Sequence, residues 1–242
     1  MEKEISKIVM EGVLLWLSFL KNYIVQRGWS SPASKYQDIK PTLNLQQDKV
    51  YAFWDKLFDG NTEHIKPEFT DEEILSEIYG RDTSEFDFDI DLYDEKLLSM
   101  LSKFDNPKWT EFGEVDKIKC ISELVSVIGD KLGITEKPEL RFFVGDENLC
   151  GAFSQFDNSI EINKSLFSNP KEIIDTIAHE MRHAYQYERA CIGETYQDKM
   201  YGYNFLKYIE PVMKDGSYIN YFDYQDQLIE AEARAFADLF TK

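Results

Sequence analysis

Residues 177–186 read Ile-Ala-His-Glu-Met-Arg-His-Ala-Tyr-Gln. His179 and His183 are four positions apart, and Glu180 follows the first of them. On a helix this spacing puts both imidazoles on one face, one turn apart, where they can bind the same zinc ion. Glu180 would lie beside them, placed to take a proton from a zinc-bound water. The stretch therefore predicts a helix that carries part of a metal site.

The residues around this motif favour a helix. Asn169 is a suitable N-cap, and Pro170 suits the first helical position. An apolar stripe at helical spacing lies well away from the two histidines and consists of Ile173, Ile177, Met181 and Ala184. One side of the helix is thus suited to a core and the other to a polar cleft. The alternative is a solvated helix that carries two histidines by chance.

The composition bounds the class of protein. The chain has 242 residues, 43% of them hydrophobic, which is enough for a real core. A net charge of −18 argues against binding to nucleic acid or to anionic membrane surfaces. The three cysteines, Cys120, Cys150 and Cys191, are too few for a disulfide framework, and their odd number fits a reducing compartment.

The first residues argue against membrane insertion. The apolar run at residues 13–20 is too short to span a bilayer, and no signal-peptide pattern surrounds it. We therefore expect a helix that is buried or faces a partner, in a cytoplasmic protein, although export without a signal stays open. The oligomeric state is not predicted.

Two regions are expected, with a boundary near Trp109. Residues 1–110 predict a mostly helical N-terminal region, with a linker at 28–44 and helices at Val50–Phe58 and after the capping box Thr70–Glu73. His64 is assigned to a loop, with no metal role. Residues 111–242 predict the metal-binding domain.

The second region predicts an α+β fold. A helix around residues 118–128 would end at Gly133, followed by a small mixed or antiparallel sheet, a meander of strands at 140–144, 152–156 and 159–163. The helix with the two histidines comes next. A final amphipathic helix is predicted within residues 224–237.

Two histidines alone make a weak metal site, so a third ligand is expected. A pattern with a third histidine would need glycine at position 186 and histidine at 189, where the chain has Gln186 and Arg189. The C-terminal helix offers Glu230 and Glu232, which cannot point the same way because they are two positions apart.

From Glu114 to the C-terminus, the chain resembles the gluzincin clan of zinc metallopeptidases, especially compact metallopeptidase-like domains of bacterial and phage proteins. The resemblance lies in the His-Glu-x-x-His motif and in the later glutamate on an alanine-rich helix. It implies a zincin-like fold with Glu230, rather than Glu232, as the third zinc ligand. The clan often has an aspartate four positions after this ligand that bonds to the first histidine, where this chain has Arg234. The partner that orients a histidine is therefore expected elsewhere, at Asp175 or Glu232.

These expectations amount to a zinc-dependent peptidase, more an endopeptidase than an exopeptidase, acting on a peptide or protein substrate. Glu180 would serve as the general base, and Tyr224 would donate to the developing oxyanion, unless it is only a packed aromatic. Tyrosines between Cys191 and Tyr221 would line the cleft or fill the core. Cys150 is expected to be a buried thiol rather than an inhibitory zinc ligand.

Two other functions stay open. One is a non-catalytic zinc-containing module that binds a peptide or protein. The other is a metal-dependent hydrolase of the toxin type, which no feature of the sequence separates from a peptidase.

Overall fold

The computed structural model describes residues 69–105, 107–146, 148–214 and 217–241. The predicted apolar helix near the N-terminus, the linker, the helix Val50–Phe58 and the loop with His64 lie outside the described residues. The described residues belong to one compact unit.

Within these ranges, helices and strands follow each other in the order α1 (Asp71–Ile78), α2 (Glu95–Leu101), α3 (Lys108–Glu111), α4 (Glu114–Leu132), β1 (Glu139–Phe143), β2 (Gly151–Ser154), β3 (Ser159–Asn163), α5 (Pro170–Ile192), α6 (Tyr196–Leu206), β4 (Met213–Lys214), β5 (Ser217–Tyr218), α7 (Tyr221–Gln225) and α8 (Leu228–Thr241). Short 3-10 turns lie at Thr83–Glu85, Ser102–Phe104 and Lys164–Ser168. The described part is therefore mostly helical with a small mixed sheet, which is compatible with the predicted α+β class. Among the described residues, none of the helices has the length and apolarity needed to cross a membrane.

Local signals in the sequence set the helix ends as predicted. The Thr70 side chain accepts from the backbone of Glu73, whose carboxylate accepts from the backbone of Thr70, and this capping box opens α1. Helix α4 ends at Gly133, which has a positive φ of 68° that suits glycine. Both predictions are confirmed.

The order of strands in the sheet differs from the predicted meander. The sheet has the order β1-β3-β2, with β1 parallel to β3 and β2 antiparallel to it. The turn at Asp157-Asn158 joins β2 to β3 as expected, and Asn158 takes a positive φ of 46°. The connection from β1 to β2 is longer than a tight hairpin turn, so it does not force these two strands to pair. The mostly buried β3 takes the centre, and the prediction of a meander was wrong.

A glycine fixes how closely the edge strand β2 approaches helix α5. A Cβ on Gly151 would lie 2.6 Å from Cγ2 of Thr176 on α5 and 2.9 Å from the carbonyl oxygen of Glu161 on β3. No side chain fits there without moving the strand. The sheet is thus held directly against the helix that carries the histidines.

Helices α5 and α8 form the centre of the unit and run antiparallel. Gln186 of α5 contacts Ile229 at the start of α8, and Asp175 contacts Thr241 at its end. The apolar stripe predicted for α5 is buried against α4 and the sheet. Small residues of α8, Ala233 among them, allow close approach to its neighbours.

The helices before residue 111 pack on the same core as those after it. Trp109 is buried, stacks on Phe104, and donates its indole N–H to the carbonyl oxygen of Phe167. The predicted division into 1–110 and 111–242 stays a prediction, because most of the first region lies outside the described residues.

We expect Gly151→Ala to lower the free energy of unfolding by about 1–3 kcal/mol, since the added methyl overlaps two fixed neighbours. Chemical denaturation measures this change. A double-mutant cycle with Thr176→Ser, which removes the nearest methyl group, provides the control. The same cost of G151A in both backgrounds would contradict the close approach.

Candidate metal centre

Helix α5 presents the two histidines and the glutamate as the sequence predicts. Asn169 caps its first turn by accepting from the backbone N–H of Glu172, and Pro170 occupies the first position. Gly193 ends the helix with a φ of 66°. The rings of His179 and His183 lie edge to face, with 4.6 Å between their centroids.

Helix α8 brings a carboxylate to this pair. Oε2 of Glu230 lies 3.3 Å from Nε2 of His179, and Oε1 lies 3.4 Å from Nε2 of His183. The two Nε2 atoms are 3.0 Å apart. In the part of the chain that the structure describes, these three residues form the one group of histidine, cysteine and acidic side chains close enough to share a metal ion.

The spacing of the three atoms fits a zinc site. Ligands about 2.0–2.1 Å from a tetrahedral zinc lie about 3.3 Å from one another. The three distances are 3.0, 3.3 and 3.4 Å. One cation can therefore bind all three groups, while the same contacts in the metal-free protein form a buried ion pair between protonated histidine and glutamate.

The charges of the cluster shift one another's pKa values. Burial alone would lower the pKa of His183, but the charge of Glu230, its hydrogen bond and the charge of Glu180 outweigh burial and raise it to about 9. Burial likewise works against ionised Glu230, yet both histidines hold the pKa of this carboxyl well below its usual range. In the metal-free protein His183 therefore carries a proton at neutral pH.

Glu180 lies beside this cluster, and it is 8% exposed. Among the described residues, nothing donates a hydrogen bond to its carboxylate. Its negative charge nevertheless contributes to the raised pKa values of His183 and Tyr224. The side chain of Glu180 is thus close to the cluster.

Two tyrosines reach the cluster of His179, His183 and Glu230 from the segment that precedes α8. The hydroxyl of Tyr208 donates to Oε1 of Glu230 at 2.6 Å, and the ring of Tyr224 packs edge to face on Tyr208. Burial, and then the charge of Glu230, raise the pKa of both hydroxyls well above the ordinary value, so both keep their protons at neutral pH. Tyr224 belongs to the separate helix α7, because the final helix begins only at Leu228.

The structure also places the residues for which the sequence left alternatives. Glu232 points away from Glu230, as expected, and reaches His183 only through Gln186. Asp175 accepts from the hydroxyl of Thr241 instead of contacting a histidine. The sequence motifs assign Gln186 no role beyond excluding the pattern with a third histidine. Gln186 lies three positions after His183 on the same helix, and this spacing is the sequence signal for a contact between the two side chains.

Two of the tyrosines between Cys191 and Tyr221 contact the glutamates of α8. Tyr201 is buried and donates to Glu232, whereas Tyr208 contacts Glu230. Cys150 is partly buried with its thiol 3.9 Å from Glu172. Burial and the nearby carboxylates raise the pKa of this thiol, which keeps it protonated.

No protein-family model matches the sequence, and no curated protein or solved structure matches it either. The resemblance to gluzincins therefore stays a prediction that depends on the motifs alone. Function has to be inferred from the chemistry of this cluster.

We expect zinc affinity to rise with pH between about 7 and 9. Zinc must displace the proton of His183, whose pKa is raised to about 9, so the apparent affinity should increase up to about tenfold per pH unit below that value. Competition titrations with a chelator, corrected for its own protonation, measure the slope. An affinity independent of pH over this range would contradict the protonated state of His183.

Proposed function

We propose that the chain is a zinc-dependent metallopeptidase that cleaves peptide bonds in a peptide or protein substrate. His179, His183 and Glu230 hold the metal, and Glu180 is the general base. The observation that carries this proposal is the convergence of two imidazole nitrogens and a distant carboxylate within 3.0–3.4 Å of one another.

The ligand set supports zinc as the metal. Two imidazoles and one carboxylate are the ligands of catalytic zinc sites that keep a fourth position for water. When bound, zinc lowers the pKa of such a water and polarises the carbonyl group of the substrate.

Glu180 supplies the acid–base chemistry in this proposal. It takes a proton from the attacking water and later returns it to the leaving amine. Its position one residue after His179, and a carboxylate without a hydrogen-bond donor among the described residues, support this role.

Tyr224 is the proposed donor to the oxyanion that develops on the substrate. Its hydroxyl is kept protonated beside Glu230 and Glu180, as a hydrogen-bond donor must be. The hydroxyl of Tyr208 donates to Glu230 at 2.6 Å, and that of Tyr224 interacts with the same carboxylate.

The finer fold assignment, a zincin-like domain of the gluzincin type, belongs to the same proposal. It is supported by an edge strand, β2, that runs antiparallel to β3 and packs on α5. An extended peptide would add to this edge by strand pairing. Such a mode of binding favours an endopeptidase over an exopeptidase.

One observation favours a second function, a non-catalytic zinc-containing module that binds a peptide or protein. The side chains of His179, His183 and Glu230 are only 18%, 10% and 3% exposed, respectively. Enclosed ligands are also typical of metals that serve stability.

Glu180→Gln separates the two functions. We expect this variant to bind zinc near one equivalent and to lose peptide cleavage by at least about 10²-fold, because the amide cannot accept the proton. Elemental analysis and a fluorogenic peptide library measure both properties. His183→Ala is the control that should lose the metal itself.

A wild-type protein that binds zinc and cleaves no peptide in the library would favour the binding module. A Glu180→Gln variant that cleaves as fast as wild type would contradict the role of this residue as base.

Tyr224→Phe should lower kcat by about 10²-fold with little change in zinc affinity, since it removes one donor to the oxyanion. Steady-state kinetics with a cleaved peptide measure this effect. The matched control is Tyr196→Phe, which removes a hydroxyl from an exposed position on α6. Equal kcat values for the two variants would assign Tyr224 to packing alone.

A further inference from the structure

A fully buried glutamine joins the proposed metal cluster to a second carboxylate. Gln186 is 0% exposed and lies three residues after His183 on α5. Its side-chain oxygen lies 2.9 Å from Nδ1 of His183. Its side-chain nitrogen donates to Glu232 at 2.7 Å and to the carbonyl oxygen of Ile229 at 3.1 Å.

These contacts determine which way the amide of Gln186 points. The two acceptors on α8, a carboxylate oxygen and a backbone carbonyl oxygen, both require a donor, and only the NH₂ group of the amide donates. The amide oxygen therefore faces His183. A flipped amide would put oxygen against two oxygens in a buried site, which is costly.

The orientation of the amide selects the tautomer of His183. An amide oxygen only accepts, so Nδ1 of His183 must carry the hydrogen in this contact. In the neutral ring Nε2 then has the lone pair, and Nε2 is the atom that faces His179 and Glu230. The ring is thus prepared to bind a metal through the nitrogen that lies in the cluster.

Glu232 is itself held in place. It accepts hydrogen bonds from Arg182 and from the hydroxyl of Tyr201, the latter at 2.8 Å. The guanidinium of Arg182 also lies over aromatic rings, among them Phe236 at 5.4 Å from the ring centroid. All of these side chains are buried, so the acceptor that orients Gln186 has little freedom to move.

We propose that Gln186 is a positioning residue of the metal site: it fixes the tautomer and orientation of His183 and thereby raises zinc affinity. This inference rests on the proposed metal site but not on peptidase activity. Gln186 orients the second histidine of the motif, whereas the aspartate that Arg234 replaces would orient the first.

The test compares zinc dissociation constants of purified full-length variants by competition with a chelator. Gln186→Met keeps the approximate size of the side chain and loses the acceptor, so we expect zinc to bind about 10- to 100-fold more weakly. Gln186→Glu keeps an acceptor for Nδ1 of His183, but it replaces the NH₂ group that donates to Glu232 with a second carboxylate oxygen. We expect it to bind zinc within about threefold of wild type while the protein unfolds at lower denaturant.

Asn163→Leu is the matched control. Asn163 is another fully buried amide, and it holds the loop before β2 by donating to the carbonyl oxygens of Asp146 and Leu149. Its replacement should destabilise the fold without changing the zinc dissociation constant. A purely structural role of Gln186 would make its two variants resemble this control.

The tautomer can also be observed in the wild-type protein. The chain has three histidines, so long-range ¹H–¹⁵N spectra of the zinc-loaded protein contain three ring systems, which through-bond correlations from backbone to ring can assign. We expect a protonated Nδ1 and a metal-bound Nε2 at His183. This readout decides the question even if a Gln186 variant does not fold.

Three results would overturn the inference: zinc affinity unchanged in Gln186→Met, an equal loss in both Gln186 variants, or metal bound through Nδ1 of His183. Failure of the wild-type protein to bind zinc would overturn it as well. A protein that binds zinc with the expected differences and cleaves nothing would remove only the proposed peptidase activity.

Discussion

The pairing of buried charges between helices α5 and α8 is the constraint on which the described structure depends. Glu230 and Glu232 of α8 and Arg182 and His183 of α5 are all nearly excluded from water. An ionised side chain in such a place is strongly unfavourable unless an opposite charge or several donors face it. Glu230 and Glu232 therefore have to meet partners on α5, and this requirement sets the alignment of the two helices.

The two glutamates of α8 perform this pairing on different sides of the helix. Glu230 faces the two histidines, while Glu232 faces Arg182 and Gln186. Because removing one member of a buried charge pair leaves the other uncompensated, breaking such a pair costs about 3–5 kcal/mol. The pair around Glu232 can thus hold the helices in place while the cluster around Glu230 keeps its ligand atoms close together for a cation.

Much of the site follows from local patterns in the sequence. The spacing of His179 and His183 on a capped helix requires only the geometry of one helical turn, and α5 has the predicted ends. Of the two candidate carboxylates, Glu230 is the one that meets the histidines. Residues of the site that come from other elements have no such local signal in the sequence. Tyr208 has no fixed spacing to Glu230 in the sequence, and nothing before the fold is known distinguishes it from the neighbouring tyrosines.

By itself the sequence determined helices α1, α4 and α5 with their caps, the strands near residues 139–163 and the face on which the two histidines lie, because these features depend on neighbours within a few positions. Tertiary structure alone decided the order of the sheet, where the small Gly151 lets β2 lie against α5. It also decided that Glu232 acts on His183 through Gln186. Both features depend on contacts between segments that are far apart in the sequence. In these contacts, the free-energy cost of burying a polar group without a partner selects one arrangement.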